Sequence, residues 1–153
     1  VLQKSKFNLN ELVEHSVQDI KISNPNSDIK IEYNFKAILF ADKDRIEQVL
    51  VNFITNAIKY SPNSKKIEIE IFQKEEGKVS VSIRDFGIGI SKAHIEKIFT
   101  RFYRVDGKNE ETFSGFGIGL FLVKEIIERH EGTIKVESKK GKGSKFVFTL
   151  DAI

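Results

Sequence analysis

Lys66-Ile67-Glu68-Ile69-Glu70-Ile71-Phe72-Gln73 and Lys78-Val79-Ser80-Val81-Ser82-Ile83-Arg84-Asp85 alternate apolar and polar side chains on either side of a turn at Glu75-Glu76-Gly77. Successive side chains of a strand point to opposite faces, so each segment offers one face to a core and one to water. Two such segments around a glycine-containing turn predict a β-hairpin. The signature returns at 133–138 and 144–150, around Lys140-Gly141-Lys142-Gly143. Two half-buried hairpins need an apolar layer to cover them.

The flanking segments supply that layer. Residues 8–22 place Leu9, Leu12, Val13, Val17 and Ile20 at helical spacing, with Asn8 or Asn10 able to cap the start and Asn24-Pro25-Asn26 to stop it. Asp42 caps a longer helix to Tyr60, with a buried stripe of Ile46, Val49, Leu50, Phe53, Ile54, Ala57 and Ile58; Ser61-Pro62 ends it. A third main helix runs from Ile118 to His130 and is stopped by Gly132. A short helix follows Ser91 to Phe99, and further strands are expected at 29–35 and 38–40. Residues 104–118 lack periodicity and read as a loop, with 105–116 a lid that is poorly ordered without ligand. The expected fold is α+β, a two-layer α/β sandwich. A mixed, mostly antiparallel sheet of about five strands carries three main helices on one face.

The chain of 153 residues suits one domain spanning 1–153. It has no cysteine, which excludes disulfides and thiolate metal sites, and its 3 histidines are too scattered to predict zinc. It lacks methionine altogether, so it is expected to be a piece of a longer or processed chain. No apolar run reaches the roughly 18 residues of a membrane span, and no signal peptide opens it. The net charge of +3 comes from interspersed signs and does not point to nucleic acid.

Four constellations could carry chemistry. Asn52 and Asn56 lie four apart and share one helical face, followed by Lys59 and Tyr60. Asparagine is a mediocre helix former, so a pair in mid-helix is either a solvated face or a polar lining for a ligand. Asp85-Phe86-Gly87-Ile88-Gly89-Ile90 ends a strand. It is either a tight turn or a carboxylate able to accept a hydrogen bond from an exocyclic amino group such as that of adenine. Gly115-Phe116-Gly117-Ile118-Gly119 leads into the third helix at Leu120, where converging amides and a helix N-terminus suit phosphate. It matches neither a Walker loop nor a dinucleotide fingerprint, and a flexible linker would look the same. Arg101 and Arg104 interleave Phe99, Phe102 and Tyr103, as an apolar anchor with solvated arginines or as a cation near phosphate. All four fall between Asn52 and Gly119, and the bland readings would have to hold independently for each.

In this combination the chain resembles the catalytic ATP-binding domain of two-component sensor histidine kinases, in the superfamily that also holds gyrase, Hsp90 and MutL. The N box is matched by residues 52–61, the G1 box by 85–90, the F box by 99–104 and the G2 box by 115–124. Gly141-Lys142-Gly143-Ser144 with Phe146 and Phe148 resembles the closing glycine segment. The resemblance covers nearly the whole chain and implies the Bergerat fold.

It also implies roles. Asn56 would coordinate Mg²⁺, and Asn52 would line the phosphate side. Lys59 and Tyr60 would contact phosphate and ribose. Asp85 would bind the adenine amino group, with Gly87, Gly89 and Ile90 admitting the base. Gly115, Gly117, Gly119 and Leu120 would cradle the triphosphate, Arg104 would act near the γ-phosphate, and Ser144 would hold a water on the adenine side. The implied reaction is transfer of the γ-phosphoryl group of ATP to a histidine on a separate dimerisation domain, with a response regulator as downstream partner. No nucleic acid or membrane contact is implied for the domain, whose location is expected to be cytoplasmic. His15, His94 and His130 lack the acceptor pattern and read as surface histidines, so the chain should bind ATP without phosphorylating itself. Two alternatives remain at this point. One is an ATPase or serine-kinase relative, against which Asn52 stands because it cannot take a proton as a glutamate can. The other is a nonenzymatic nucleotide-sensing module.

Overall fold

In a computed structural model, residues 1–100 and 119–153 are described. The elements in order are β1 (Ser5–Asn8), α1 (Leu9–Ser23), β2 (Asp28–Tyr33), β3 (Ile38–Ala41), α2 (Lys43–Lys59), β4 (Lys66–Phe72), β5 (Lys78–Asp85), α3 (Lys92–Ile95), α4 (Gly119–Arg129), β6 (Thr133–Lys139) and β7 (Gly143–Asp151). Five strands form the main sheet in the order β2-β4-β5-β7-β6. Only β2 and β4 pair in parallel; the other neighbours are antiparallel. Parallel neighbours need a crossover, and α2 lies within it. Both expected hairpins are present, as β4–β5 and β6–β7. The fold is α+β, a mixed five-stranded sheet with helices packed on it.

The core follows from the alternation. Ile67, Ile69 and Ile71 of β4, Val79, Val81 and Ile83 of β5, and Phe146, Phe148 and Leu150 of β7 are all buried. They meet Leu12, Val13 and Val17 of α1, the stripe Ile46 to Ala57 of α2, and Val123, Ile126 and Ile127 of α4 in one apolar cluster. Phe53 sits at its centre, 5.2 Å from the Phe146 ring and 6.0 Å from Phe148. Such tilted and offset rings are favourable beyond the area they bury.

Several local readings change. Ser5–Asn8 forms a strand paired with β3, a second sheet of two strands; four residues are too few to show a period. Asn8 caps α1 by accepting from the Glu11 amide at 3.1 Å. Asn10 instead clamps the β2–β3 connection, donating to the Phe35 carbonyl at 2.7 Å and accepting from the Ala37 amide at 3.0 Å. Helix α3 is one turn, Lys92–Ile95, and the Ser91 side chain makes no capping bond. At the end of α4 the left-handed residue is Glu131 (φ 59°) rather than Gly132. Gly132 serves packing there, since a Cβ would lie 2.5 Å from the Thr149 carbonyl oxygen.

Candidate functional site

Asp85 ends β5 in the centre of the sheet and is only 4% exposed. Its Oδ1 accepts the Gly87 amide at 3.0 Å and the Ser144 amide at 3.3 Å. Burial pushes the Asp85 carboxyl pKa up, and these two amides together with the Ser61 hydroxyl partly offset that. The Ser61 hydroxyl lies beside this carboxylate but is itself buried, with no hydrogen-bond partner of good geometry among the described residues. A carboxylate so desolvated is stored at a cost, and such groups cluster at functional sites.

The loop after Asp85 is pressed between two other segments. On one side the end of α2 meets it: the Ile88 amide donates to the Tyr60 carbonyl at 3.0 Å, and a Cβ on Gly87 would overlap that same oxygen. On the other side lies the β6–β7 turn, where the Gly141 amide donates to the Ile88 carbonyl at 2.6 Å. Gly143 has φ +100°, and a Cβ there would overlap the Asp85 carbonyl oxygen. Here the glycines admit close approach of the protein's own backbone.

A second group of side chains lies along α2 and α4. Asn52 donates through Nδ2 to the Gln48 carbonyl at 3.0 Å. Its Oδ1 faces the start of α4, 2.9 Å from where a Cβ on Gly119 would stand. Asn56 and Tyr60 are half-buried on the same helix, Lys59 is exposed, and Leu120 packs half-buried against the core. The far ends of the two helices also meet. The Asp42 amide, at the cap of α2, donates to Nε2 of His130 at 3.1 Å, and Nδ1 of His130 lies 2.8 Å from the Ile126 carbonyl. His130 therefore carries its proton on Nδ1 and donates to Ile126. It is 8% exposed, which corrects its reading as a surface histidine; nothing in its neighbours Arg129 and Glu131 marked a buried position. Glu47 projects elsewhere: its carboxylate groups with His15 and Asp19 of α1, their polar atoms within 4.8 Å of one another.

Among the expected site residues, the structure brings Asn52 to Gly119, Tyr60 to Gly87, and Asp85 to Ser144. Gly89 and Ile90 are buried in the same loop. Arg104, Gly115, Gly117 and the lid at 105–116 lie outside the described residues. Ser138 escaped sequence reading, yet its hydroxyl accepts the Ile90 amide at 2.6 Å. The signal was there: Ser138 and Ser144 occupy the apolar phase of their strands, in line with Ile134 and Val136, and Phe146 and Phe148. Among the described residues no helix is long and apolar enough to cross a membrane.

Residues 41–153 match the family model described as histidine kinase-, DNA gyrase B- and HSP90-like ATPase. Sensor protein RprX of Bacteroides fragilis (strain YCH46) is 36% identical over 153 residues, 97% of this chain and 30% of that protein. Sensor histidine kinase WalK of Bacillus subtilis (strain 168) is 44% identical over 110 residues, 71% of this chain and 18% of that protein. The chain thus spans a third or less of these two curated relatives. Among solved structures, the catalytic domain of histidine kinase ThkA superposes with a TM-score of 0.80 at 32% identity, covering 98% of this chain and 96% of that one. A buried strand-end aspartate, a paired-asparagine helix and a glycine at the entry of the next helix, on this sheet and with these relatives, place the chain in the family of histidine kinase-, DNA gyrase B- and HSP90-like ATPases, among the catalytic domains of histidine kinases.

Proposed function

We propose that residues 1–153 form a single catalytic domain that binds ATP with Mg²⁺ and donates the γ-phosphoryl group to a histidine on a separate dimerisation domain of its parent protein, in two-component signalling with a response regulator. The observation that carries this reading is the state of Asp85. Both amides that reach its carboxylate go to Oδ1, so Oδ2 is the acceptor for the exocyclic amino group of adenine. A buried carboxylate aimed at one amino group discriminates strongly, because a base lacking that donor leaves it unpaired.

From Asp85 the nucleotide extends between α2 and α4 toward Asn52, Asn56 and the G2 glycines. The residues present suit Mg²⁺: Asn56 offers a neutral carboxamide oxygen, which completes a shell of phosphate oxygens without adding charge. The ion would neutralise charge on the phosphates during transfer. Asn52 lines the phosphate side with its amide oriented by Gln48, Lys59 and Tyr60 serve phosphate and ribose, and Ser144 serves the adenine edge. Arg104, Gly115 and Gly117 are proposed from their motif positions alone.

Transfer is favoured over hydrolysis by two features. Asn52 has no basic oxygen to accept a proton from water. Glu47, the nearest carboxylate upstream on α2, faces His15 and Asp19 instead. A nonhydrolysable ATP analogue with Mg²⁺ at 100 times Kd is expected to add about 2.7 kcal/mol of stability, a melting shift of roughly 5–11 °C for a domain of this size. With the parent's dimerisation domain added, labelled γ-phosphate should appear on a histidine. Release of free phosphate with no transfer would make the domain an ATPase instead.

A further inference from the structure

Ser138 lies on β6 directly across from Ser144 of β7, and its hydroxyl makes three contacts. It donates to the Gly143 carbonyl at 3.0 Å, accepts from the Ile90 amide at 2.6 Å, and lies 2.7 Å from the Ser144 hydroxyl. A hydroxyl has one proton and two lone pairs. With its proton on Gly143, Ser138 must accept from Ser144, and its capacity is then full.

The Gly143 carbonyl and the Ser144 amide belong to one peptide unit. That unit is planar and trans, so its C=O and N–H point in opposite directions. Holding the carbonyl at Ser138 therefore aims the Ser144 N–H, and that N–H is the one that reaches Oδ1 of Asp85 at 3.3 Å. The same Ser138 oxygen ties down Ile90, the last residue of the Asp85–Ile90 loop. One hydroxyl thus fixes both the far end of the base-reading loop and one of the two amides that orient the carboxylate.

We propose that Ser138 is a positioning residue for base selection: through the Gly143–Ser144 peptide and the Ile90 amide it holds Asp85 Oδ2 where an adenine amino group can donate to it. The inference rests on the adenine reading of Asp85 given above. It assigns Ser138 no contact with nucleotide. Replacing Ser138 by alanine leaves the Gly143 carbonyl and the Ile90 amide without this partner. The 143–144 peptide is then free to turn, and Asp85 keeps its charge, its burial and the Gly87 amide but loses the second of the two amides that orient it.

The test compares ADP with inosine diphosphate by calorimetry on the whole chain. Hypoxanthine carries a carbonyl in place of the amino group and so turns an acceptor, not a donor, toward Asp85 from that position. Wild type should prefer ADP. Ser138→Ala should lower ADP affinity roughly tenfold, the size of one lost hydrogen bond to a charged group, while inosine diphosphate changes by about twofold or less. Loss of stability alone would weaken both ligands alike. Ser138→Cys, close in shape but a poor acceptor, should show the same collapse of preference should the alanine variant fail to fold. A folded variant with the wild-type preference intact overturns the role of Ser138 while leaving the nucleotide reading standing. A wild-type chain with no preference for adenine overturns both.

Discussion

The two ends of the candidate site are built on different plans. Around Asp85 the pieces are loops, and they are joined to one another locally. Gly141 bonds to Ile88, Ser138 to Ile90, Ser144 to Asp85 and Ile88 to Tyr60. Around Asn52 and Asn56 the pieces are two helices, α2 and α4. Among the described residues they share the apolar core and approach closely at Asn52 and Gly119. A polar tie between them, Asp42 to His130, lies ten residues back along α2 from Asn52, about 15 Å away. On the proposed function, the Asp85 end reads a base and needs its acceptor fixed before the ligand arrives, since selectivity depends on an unpaired alternative being costly. A phosphate-holding end can be completed by the ligand's own charge. The difference predicts which substitutions damage recognition and which damage the frame.

The largest expected effect is at Asp85. Asp85→Asn keeps an acceptor for the Gly87 and Ser144 amides but turns an amide donor toward the adenine amino group. The whole ligand stabilisation, about 2.7 kcal/mol at 100 times the wild-type Kd, should disappear. The unliganded protein should move the other way. The folded-state pKa of Asp85 is raised, chiefly by burial. Its ionisation therefore opposes folding once pH rises past the unfolded value, and neutral asparagine escapes that cost. A higher melting temperature without nucleotide, combined with no shift on adding it, is the expected pair of results. A variant melting well below wild type would mean that the charge of Asp85 holds the loops together rather than reading a base.

His130→Ala tests the distant pin and should rank second. It removes the acceptor of the buried Asp42 amide and leaves that group unpaired, while the Ile126 carbonyl keeps the backbone amide of residue 130 at 3.2 Å. A loss of about 2 kcal/mol in denaturant unfolding is expected. If the two ends are as separate as they look, adenine preference measured against inosine diphosphate should survive, while the contribution of the β- and γ-phosphates to affinity falls. Loss of base preference in this variant would join the two ends into one unit.

The same contrast explains what was legible in the sequence. Strands β4 to β7 and the two long helices announce themselves because burial on one face imposes a period, and a period can be counted. Asp85 with its glycines was legible for a related reason: backbones that nearly touch exclude every side chain, and glycine is then the residue left. What stayed hidden depends on partners far along the chain. Buried His130 finds its hydrogen-bond partner in the Asp42 amide, 88 residues away, and the pairing of β1 with β3 joins residues thirty or more apart with four on each side. Ser138 stands between these cases, since its place in an apolar phase was visible but its partner across the strand was not. The Asn52–Gly119 approach required α2 and α4 to be antiparallel neighbours, which no local pattern states.

The smallest expected effect, and the finest test of the comparison, is at Asp42. Its carboxylate accepts the Gln3 amide at 3.0 Å and the Arg45 amide at 3.4 Å, so it caps α2 and ties the N-terminal segment to it. The Gln3 amide foremost, then the Arg45 amide and the Arg45 guanidinium charge, hold its pKa below the usual range against the opposing pull of burial. A lowered folded-state pKa contributes stability above the unfolded value near 3.9, lost as pH falls through the folded one. Asp42→Ala should therefore cost about 1 kcal/mol at pH 7, the usual value of a helix cap. That deficit should shrink as pH drops below about 4, where wild type loses the same interaction. Asp85 has the opposite sign, so a double variant Asp42→Ala/Asp85→Asn should melt close to the sum of its parts, with no coupling beyond about 0.5 kcal/mol. A larger coupling would show that the cap of α2 and the base-reading loop communicate through the helix between them, and that the anchoring of the N-terminal segment at Asp42 reaches the adenine end after all.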